Sequence, residues 1–175
     1  NQYSMRPPGG GPPLLTSHSH WVTTDLPGEN WAQASLTTLA NTDYLLANLE
    51  LIAGGVLAGH IDAQRIVWIG HSRGGEGAVR AYRRLKNGEY SSPRFDWRDI
   101  VLVSAIAPTT QLAPALAEPG VVAFAMLYGG ADTDVSSAPF LTNSKPLTYF
   151  ERAEGEKHLL YVQGAGHADF HDGGG

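Results

Sequence analysis

The chain has 175 residues, of which 42% are hydrophobic and 17% charged, and its formal net charge is −5. This composition predicts a soluble globular domain with a sizeable core and argues against intrinsic disorder. The negative charge, without any basic stripe, argues against a nucleic-acid partner. No apolar run reaches the length of about 18 residues that a membrane span requires.

The first part of the chain differs in composition from the rest. Residues 1–20 are rich in Pro and Gly, which predicts an irregular N-terminal segment, and residues 21–175 are predicted to form one domain. No basic segment followed by an apolar one opens the chain, so no signal peptide is predicted, and secreted and cytoplasmic locations both stay open. The sequence contains no Cys, which excludes disulfides and cysteine-based metal sites. His18 and His20 are interpreted as a surface pair.

The remaining elements alternate between helical and strand patterns. Apolar residues with helical spacing predict a helix within residues 36–56. Strands are predicted at 65–69, 100–106, 121–128 and 158–163, and helices at 75–86, near 110–117 and near 147–153. This alternation predicts an α/β fold with a mostly parallel sheet and helices on both faces. The long segment 136–156 is expected to line a substrate entrance.

The most specific motif is Gly70-His71-Ser72-Arg73-Gly74-Gly75, which follows the apolar run at 66–69 and opens a helical pattern. A Gly-x-Ser-x-Gly sequence between a strand and a helix places its serine on a sharp turn, with the hydroxyl exposed above the sheet. The pattern therefore predicts a nucleophilic serine, Ser72. A glycine-rich turn with an incidental serine is the plainer interpretation.

Two further groups follow predicted strands in the order that such a serine requires. The strand at 121–128 runs into Gly129-Gly130-Ala131-Asp132, and Asp134 lies two residues beyond. The strand that begins at His158 runs into Gly164-Ala165-Gly166-His167. Serine, acid and histidine thus each come just after a strand, with Asp132 or Asp134 as the acid.

The other histidines fit catalysis or metal binding less well. His158 begins a strand, and His171 lies beyond the loop that carries His167. The spacing of His167 and His171 occurs in zinc sites, but the glutamate of a zinc-protease motif is absent, so no metal is expected. His71 is expected to be positional, and Arg73 and Glu76 are expected to form a local salt bridge.

On these three motifs the chain resembles the C-terminal part of an α/β-hydrolase of the serine esterase, lipase and cutinase-like kind, over roughly residues 35–171. The resemblance implies Ser72 as nucleophile, His167 as base and Asp132 as acid, since the family's acid is usually fourth in a Gly-x-x-Asp turn. It also implies an oxyanion hole that includes the backbone N–H of Arg73. The family's second donor lies on an earlier His-Gly loop, which this chain lacks, so the fold is expected to be truncated or reduced at its N-terminal side.

The chemistry of these residue types predicts an ester hydrolase that forms an acyl-enzyme. Serine needs a base to become nucleophilic, histidine titrates near neutrality, and a carboxylate orients the histidine. The substrate is expected to be a small-molecule ester with a small or medium acyl group, no cofactor is expected, and the oligomeric state stays open. The same triad serves acyltransferases and amidases, and a non-catalytic hydrolase-like domain or fragment is the contrasting interpretation.

Overall fold

The computed structural model describes residues 33–112, 114–135 and 145–170. Its strands are Ile66–His71 (β1), Ile100–Ile106 (β2), Phe124–Gly129 (β3) and Lys157–Val162 (β4). Its α-helices are Gln33–Ala47 (α1), Arg73–Lys86 (α2) and Leu147–Arg152 (α3). Short 3₁₀ turns lie at Ile52–Gly55, Pro114–Leu116 and His167–Phe170. The predicted segment 1–20, with His18 and His20, and the alternative base His171 lie outside the described residues.

The described strands form one parallel sheet whose spatial order, β1-β2-β3-β4, is also their order in the chain. Parallel neighbours need crossover connections, and α2 and α3 lie within two of these connections. All four strands therefore end at the same edge of the sheet, which is where open α/β sheets bind their ligands. The α/β class and the parallel sheet predicted from the sequence are confirmed.

The core lies between the sheet and its helices. Trp68, Val103 and Phe124 point to this side of the sheet and are at most 6% exposed. Full burial of one large apolar side chain contributes about 1.5–3 kcal/mol. A hydrogen bond from Tyr149 of α3 to Glu76 of α2 shows that both helices cover this same face.

The opposite face carries apolar side chains that are open to solvent. Ile69 of β1 is 67% exposed and Leu160 of β4 is 63% exposed. The helices that contact the sheet within the described residues share one face, so helices on the second face stay a prediction. No helix in these residues is long and apolar enough to cross a membrane.

Three predicted elements differ from the observed ones. The helix predicted near 110–117 is only a 3₁₀ turn at Pro114–Leu116. The helix predicted within 36–56 ends at Ala47, and the prediction is wrong beyond that point. The chain then forms a turn and the 3₁₀ segment Ile52–Gly55, in which Ala53 and Gly54 have left-handed backbone conformations that an α-helix does not allow. The third strand begins at Phe124 rather than at residue 121. The carbonyl of Gly120 accepts hydrogen bonds from the N–H groups of Glu154 and Gly155, which holds the start of the predicted strand in a turn.

Candidate active site

Ser72 lies on the sharp turn between β1 and α2. Its backbone has φ 56° and ψ −124°, a strained conformation for a residue with a side chain. The turn is held by hydrogen bonds: the Ser72 N–H donates to the Ile106 carbonyl at 2.8 Å, and the Ser72 carbonyl accepts from the Thr109 N–H at 3.2 Å. A Cβ at Gly70 would collide with the Gly74 carbonyl, so the turn can close only with glycine there. The motif thus has the strand–turn–helix context predicted for it.

Arg73 is the first residue of α2, directly after Ser72. The N-terminal end of a helix carries a partial positive charge and directs backbone N–H groups at anions. Burial lowers the pKa of the Arg73 side chain, and attraction to the Glu76 carboxylate opposes this change. The position of the Arg73 N–H beside Ser72 suits it to stabilise an oxyanion on a carbonyl bound there.

Asp132 lies on the turn that follows β3, with its side chain fully shielded from solvent. One carboxylate oxygen, Oδ1, accepts hydrogen bonds from the backbone N–H groups of Asp134 at 3.0 Å and Val135 at 2.9 Å. The end of this turn is anchored by the Tyr128 hydroxyl, which donates to the Val135 carbonyl at 2.8 Å. These contacts leave the second oxygen, Oδ2, directed at His167.

His167 follows β4 and is paired with Asp132 through its ring. Its Nδ1–H donates to Asp132 Oδ2 at 2.9 Å, and the His167 side chain is 14% exposed. This bond holds the ring proton on Nδ1, which leaves Nε2 as the basic nitrogen. Asp134 Oδ2 lies 3.6 Å from Nε2, on a side chain that is 75% exposed. Asp132 therefore faces Nδ1 from a buried position, and Asp134 faces the other ring nitrogen from solvent.

Backbone contacts join the turn that carries Asp132 to the loop that carries His167. The Gly130 N–H donates to the Val162 carbonyl at 2.9 Å, and the Ala131 N–H donates to the Ala165 carbonyl at 2.9 Å. Because these bonds join main chain to main chain, they fix the acid and the base relative to one another independently of side-chain rotamers.

The turn that carries Ser72 contacts the same loop through His71. The His71 Nε2–H donates to the His167 carbonyl at 3.2 Å, and the two imidazole rings lie 4.6 Å apart between centroids. Among the described residues no hydrogen bond joins the Ser72 hydroxyl to His167. Catalytic hydrogen bonds are often long without substrate and shorten only in the complex, so this geometry is compatible with a Ser–His pair.

The other candidate base in the described residues lies elsewhere. His158 is exposed on β4 and pairs with Glu156 at 3.0 Å. It lies near the start of β4, whereas His167 follows the end of that strand. The structure therefore brings His167, and not His158, to the edge of the sheet that holds Ser72.

Sequence reasoning missed the role of Glu76. The sequence predicted only a local salt bridge with Arg73 for Glu76, whose side chain is fully buried in the structure. Its carboxylate accepts hydrogen bonds from Thr109, Leu112 and Tyr149. No local signal announces this role, because all three donors lie far away in the chain.

Comparisons with known proteins found similar structures only. No family model and no curated protein matches the sequence. An S-formylglutathione hydrolase from Agrobacterium tumefaciens is 19% identical with a TM-score of 0.41, over 73% of this chain and 51% of that one. A proposed carboxylesterase from Lactobacillus plantarum WCFS1 is 14% identical with a TM-score of 0.42, over 71% of this chain and 55% of that one. This chain thus spans about half the length of the solved structures it matches, and the likeness concerns the fold alone.

Proposed function

We propose that this protein is a serine hydrolase that cleaves carboxylic esters through an acyl-enzyme. Ser72 is the nucleophile, His167 the general base and Asp132 the orienting acid. The observation that carries the proposal is the Asp132–His167 pair at 2.9 Å, held at the sheet edge where Ser72 occupies its strained turn. A buried carboxylate on one imidazole nitrogen, beside a serine on such a turn, has the arrangement used for acyl transfer.

The acylation step uses each group in a defined role. The Ser72 oxygen attacks the ester carbonyl carbon while its proton passes to Nε2 of His167. Asp132 stabilises the imidazolium that forms, and the backbone N–H of Arg73 donates to the oxyanion. The C–O bond to the alcohol then breaks, and the alcohol leaves with the proton from Nε2.

Deacylation repeats the sequence with water as the nucleophile. His167 removes a proton from the water, whose oxygen attacks the acyl carbon, and the oxyanion again forms beside Arg73. Collapse of this intermediate releases the carboxylic acid and returns the proton to Ser72. The proposal covers carboxylic esters with small or medium acyl groups as a class.

A fluorophosphonate probe, which reacts covalently with activated serines, tests the nucleophile. We expect one adduct on the peptide that holds Ser72, and we expect hydrolysis of p-nitrophenyl acetate and butyrate. Ser72→Ala should abolish both, whereas Ser92→Ala should preserve both, because Ser92 bonds to Asp43 away from the site.

The possible results separate the proposal from its alternatives. A wild-type protein that folds but is not labelled would contradict a catalytic role and support a non-catalytic domain. Labelling at Ser72 without hydrolysis of either ester would contradict ester hydrolysis and favour an acyltransferase or amidase. An adduct on another serine would contradict the assignment of Ser72.

A further inference from the structure

Glu76 is a fully buried carboxylate in the first turn of α2 whose oxygens are all engaged. Its Oε2 accepts a hydrogen bond from the Thr109 hydroxyl at 2.5 Å. Its Oε1 accepts from the Leu112 N–H at 2.6 Å and from the Tyr149 hydroxyl at 3.0 Å. Burying a carboxylate is costly unless it is hydrogen-bonded in this way. The mechanism proposed above makes no use of it, so another role must account for it.

The hydrogen bonds of Thr109 connect Glu76 to the turn between β1 and α2 that carries Ser72, called the nucleophile turn below. The Thr109 hydroxyl donates to Glu76, and the Thr109 N–H donates to the Ser72 carbonyl at 3.2 Å. Glu76 thus holds the loop after β2 at two residues, Thr109 and Leu112. Of these two residues, Thr109 also bonds to the main chain of Ser72.

Tyr149 ties the same carboxylate to α3, on a branch that does not pass through Ser72. Burial raises the pKa of Tyr149, and the negative charge of Glu76 raises it further. The hydroxyl therefore stays protonated and acts as a donor. Loss of this bond would free α3 from Glu76 and leave the Thr109 connection to Ser72 in place.

We propose that Glu76 is a positioning residue that holds the loop from Thr109 to Leu112 against the nucleophile turn and thereby fixes the backbone of Ser72. This inference rests on the proposed function, in which Ser72 reacts. The role is geometric rather than electrostatic, because a negative charge within one turn of Ser72 opposes the oxyanion that forms there. Glu76 acts through Thr109 and does not touch the substrate.

Four variants separate the effect of the shape of the Glu76 side chain from that of its charge. They also separate the hydrogen bond to Thr109 from the hydrogen bond to Tyr149. Glu76→Ala removes all three hydrogen bonds, and Thr109→Val removes only the Glu76–Thr109 bond. Glu76→Gln removes the charge but keeps the shape: its oxygen can accept from Leu112 and Tyr149, and its amide can donate to the Thr109 hydroxyl. Tyr149→Phe is the matched control because it removes the branch that does not lead to Ser72.

The first measurement is the rate at which the fluorophosphonate probe labels Ser72, together with kcat and KM for p-nitrophenyl acetate. Small displacements of a reacting group cost about 10²-fold in rate. We expect Glu76→Ala to lower both the labelling rate and kcat by about 10²-fold. Thr109→Val should lower the same two quantities by about 10-fold, and KM should change little in either variant. Glu76→Gln should recover most of the rate, and Tyr149→Phe should change it by less than about threefold.

The second measurement is hydrogen–deuterium exchange of the peptide that covers residues 107–112, which needs no activity. We expect faster exchange in Glu76→Ala and Thr109→Val and near wild-type exchange in Glu76→Gln. Unchanged exchange in the first two variants would overturn the role of Glu76 even if the protein proves inactive. An unlabelled wild-type protein, by contrast, would overturn the proposed function, and with it any effect of Glu76 on reactivity.

Three rate results would also overturn the positioning role. The first is wild-type labelling of Glu76→Ala. The second is a labelling rate of Glu76→Gln as low as that of Glu76→Ala, which would show that reactivity depends on the charge of Glu76. The third is a labelling rate of Tyr149→Phe as low as that of Thr109→Val, which would show that the effect does not run through Thr109. If Glu76→Ala fails to fold by circular dichroism, the comparison of Thr109→Val with Tyr149→Phe still decides between the branches.

Discussion

Gly129 packs so closely against Ala165 that no side chain fits between them. A Cβ on Gly129 would collide with the Ala165 carbonyl oxygen, which also accepts the Ala131 N–H at 2.9 Å. The turn after β3 and the loop after β4 are therefore in direct main-chain contact. This contact holds the turn that carries Asp132 against the loop that carries His167.

Gly129→Ala should weaken the Asp132–His167 pair without changing either residue. The added methyl group must push the two loops apart, and misplacement of a catalytic group by about 1 Å costs about 10²-fold in rate. We expect kcat for p-nitrophenyl acetate to fall by about that factor in a protein that remains folded by circular dichroism. A folded variant with wild-type kcat would show that this contact does not set the geometry of the pair.

Substitution of Asp132 should lower kcat far more than substitution of Asp134. Asp132→Asn should reduce kcat by about 10³–10⁴-fold with little change in KM, because the wrong histidine tautomer is then favoured. Asp134→Asn is the matched control, and because its side chain is largely exposed and faces Nε2, we expect a loss below about 10-fold. A larger loss for Asp134→Asn than for Asp132→Asn would reverse the assignment.

His167→Ala should lower kcat by about 10³-fold or more, since the members of a triad act as a unit. His158→Ala provides the comparison, because this histidine is exposed on β4 and pairs with Glu156 at 3.0 Å, away from Ser72. Steady-state hydrolysis of p-nitrophenyl acetate distinguishes the two variants. A decrease in kcat of less than about 10-fold in His167→Ala would reject His167 as the base.

Glu89 should contribute stability that depends on pH. It forms a two-point ion pair with Arg80, whose side chain is only 7% exposed, through hydrogen bonds of 2.7 and 3.3 Å. The hydrogen bond from Arg80 lowers the pKa of Glu89 below its ordinary value. A depressed pKa in the folded state means that the contribution is present above the unfolded-state pKa, about 4.3, and is lost as the pH falls through the folded-state value.

Glu89→Gln should therefore lower the free energy of unfolding at pH 7 by about 1–2 kcal/mol, because it leaves the buried Arg80 without its charged partner. Urea denaturation should show this difference shrinking as the pH falls below the unfolded-state pKa of about 4.3 and through the lower folded-state pKa of Glu89. Glu156→Gln, at an exposed pair, should have little effect at either pH. An equal loss of unfolding free energy in Glu89→Gln at pH 7 and at pH 3 would contradict the proposed link between the pKa of Glu89 and stability.

The sequence predicted the local features of the site and missed the distant ones. Ser72 was recognisable because its turn depends on neighbouring glycines, and Asp132 and His167 because each follows an apolar strand. Their roles in catalysis stay predictions, although the structure brings the latter two together. Glu76 could not be interpreted correctly, because its partners Thr109 and Tyr149 meet it only after the loop and α3 have packed on α2.

The same distinction explains the errors in the elements. Apolar spacing continues to Val56, but a hydrophobic pattern does not show where the backbone leaves the helix, which happens after Ala47. The apolar residues from 121 look like part of a strand. The contacts of Gly120 with residues far along the chain, Glu154 and Gly155, decide that the strand begins only at Phe124.

The agreement between strand order and chain order has a consequence for folding. Each strand pairs with the one that precedes it in the chain, so each of the three neighbouring pairs forms by closing the one connection between its strands, and the entropic cost of closure rises only slowly with the length of that connection. The nucleophile turn needs β1, α2 and the loop after β2, whereas the Asp132–His167 pair needs only β3 and β4. The two halves of the site can therefore form in separate steps, and they come together when β3 pairs with β2.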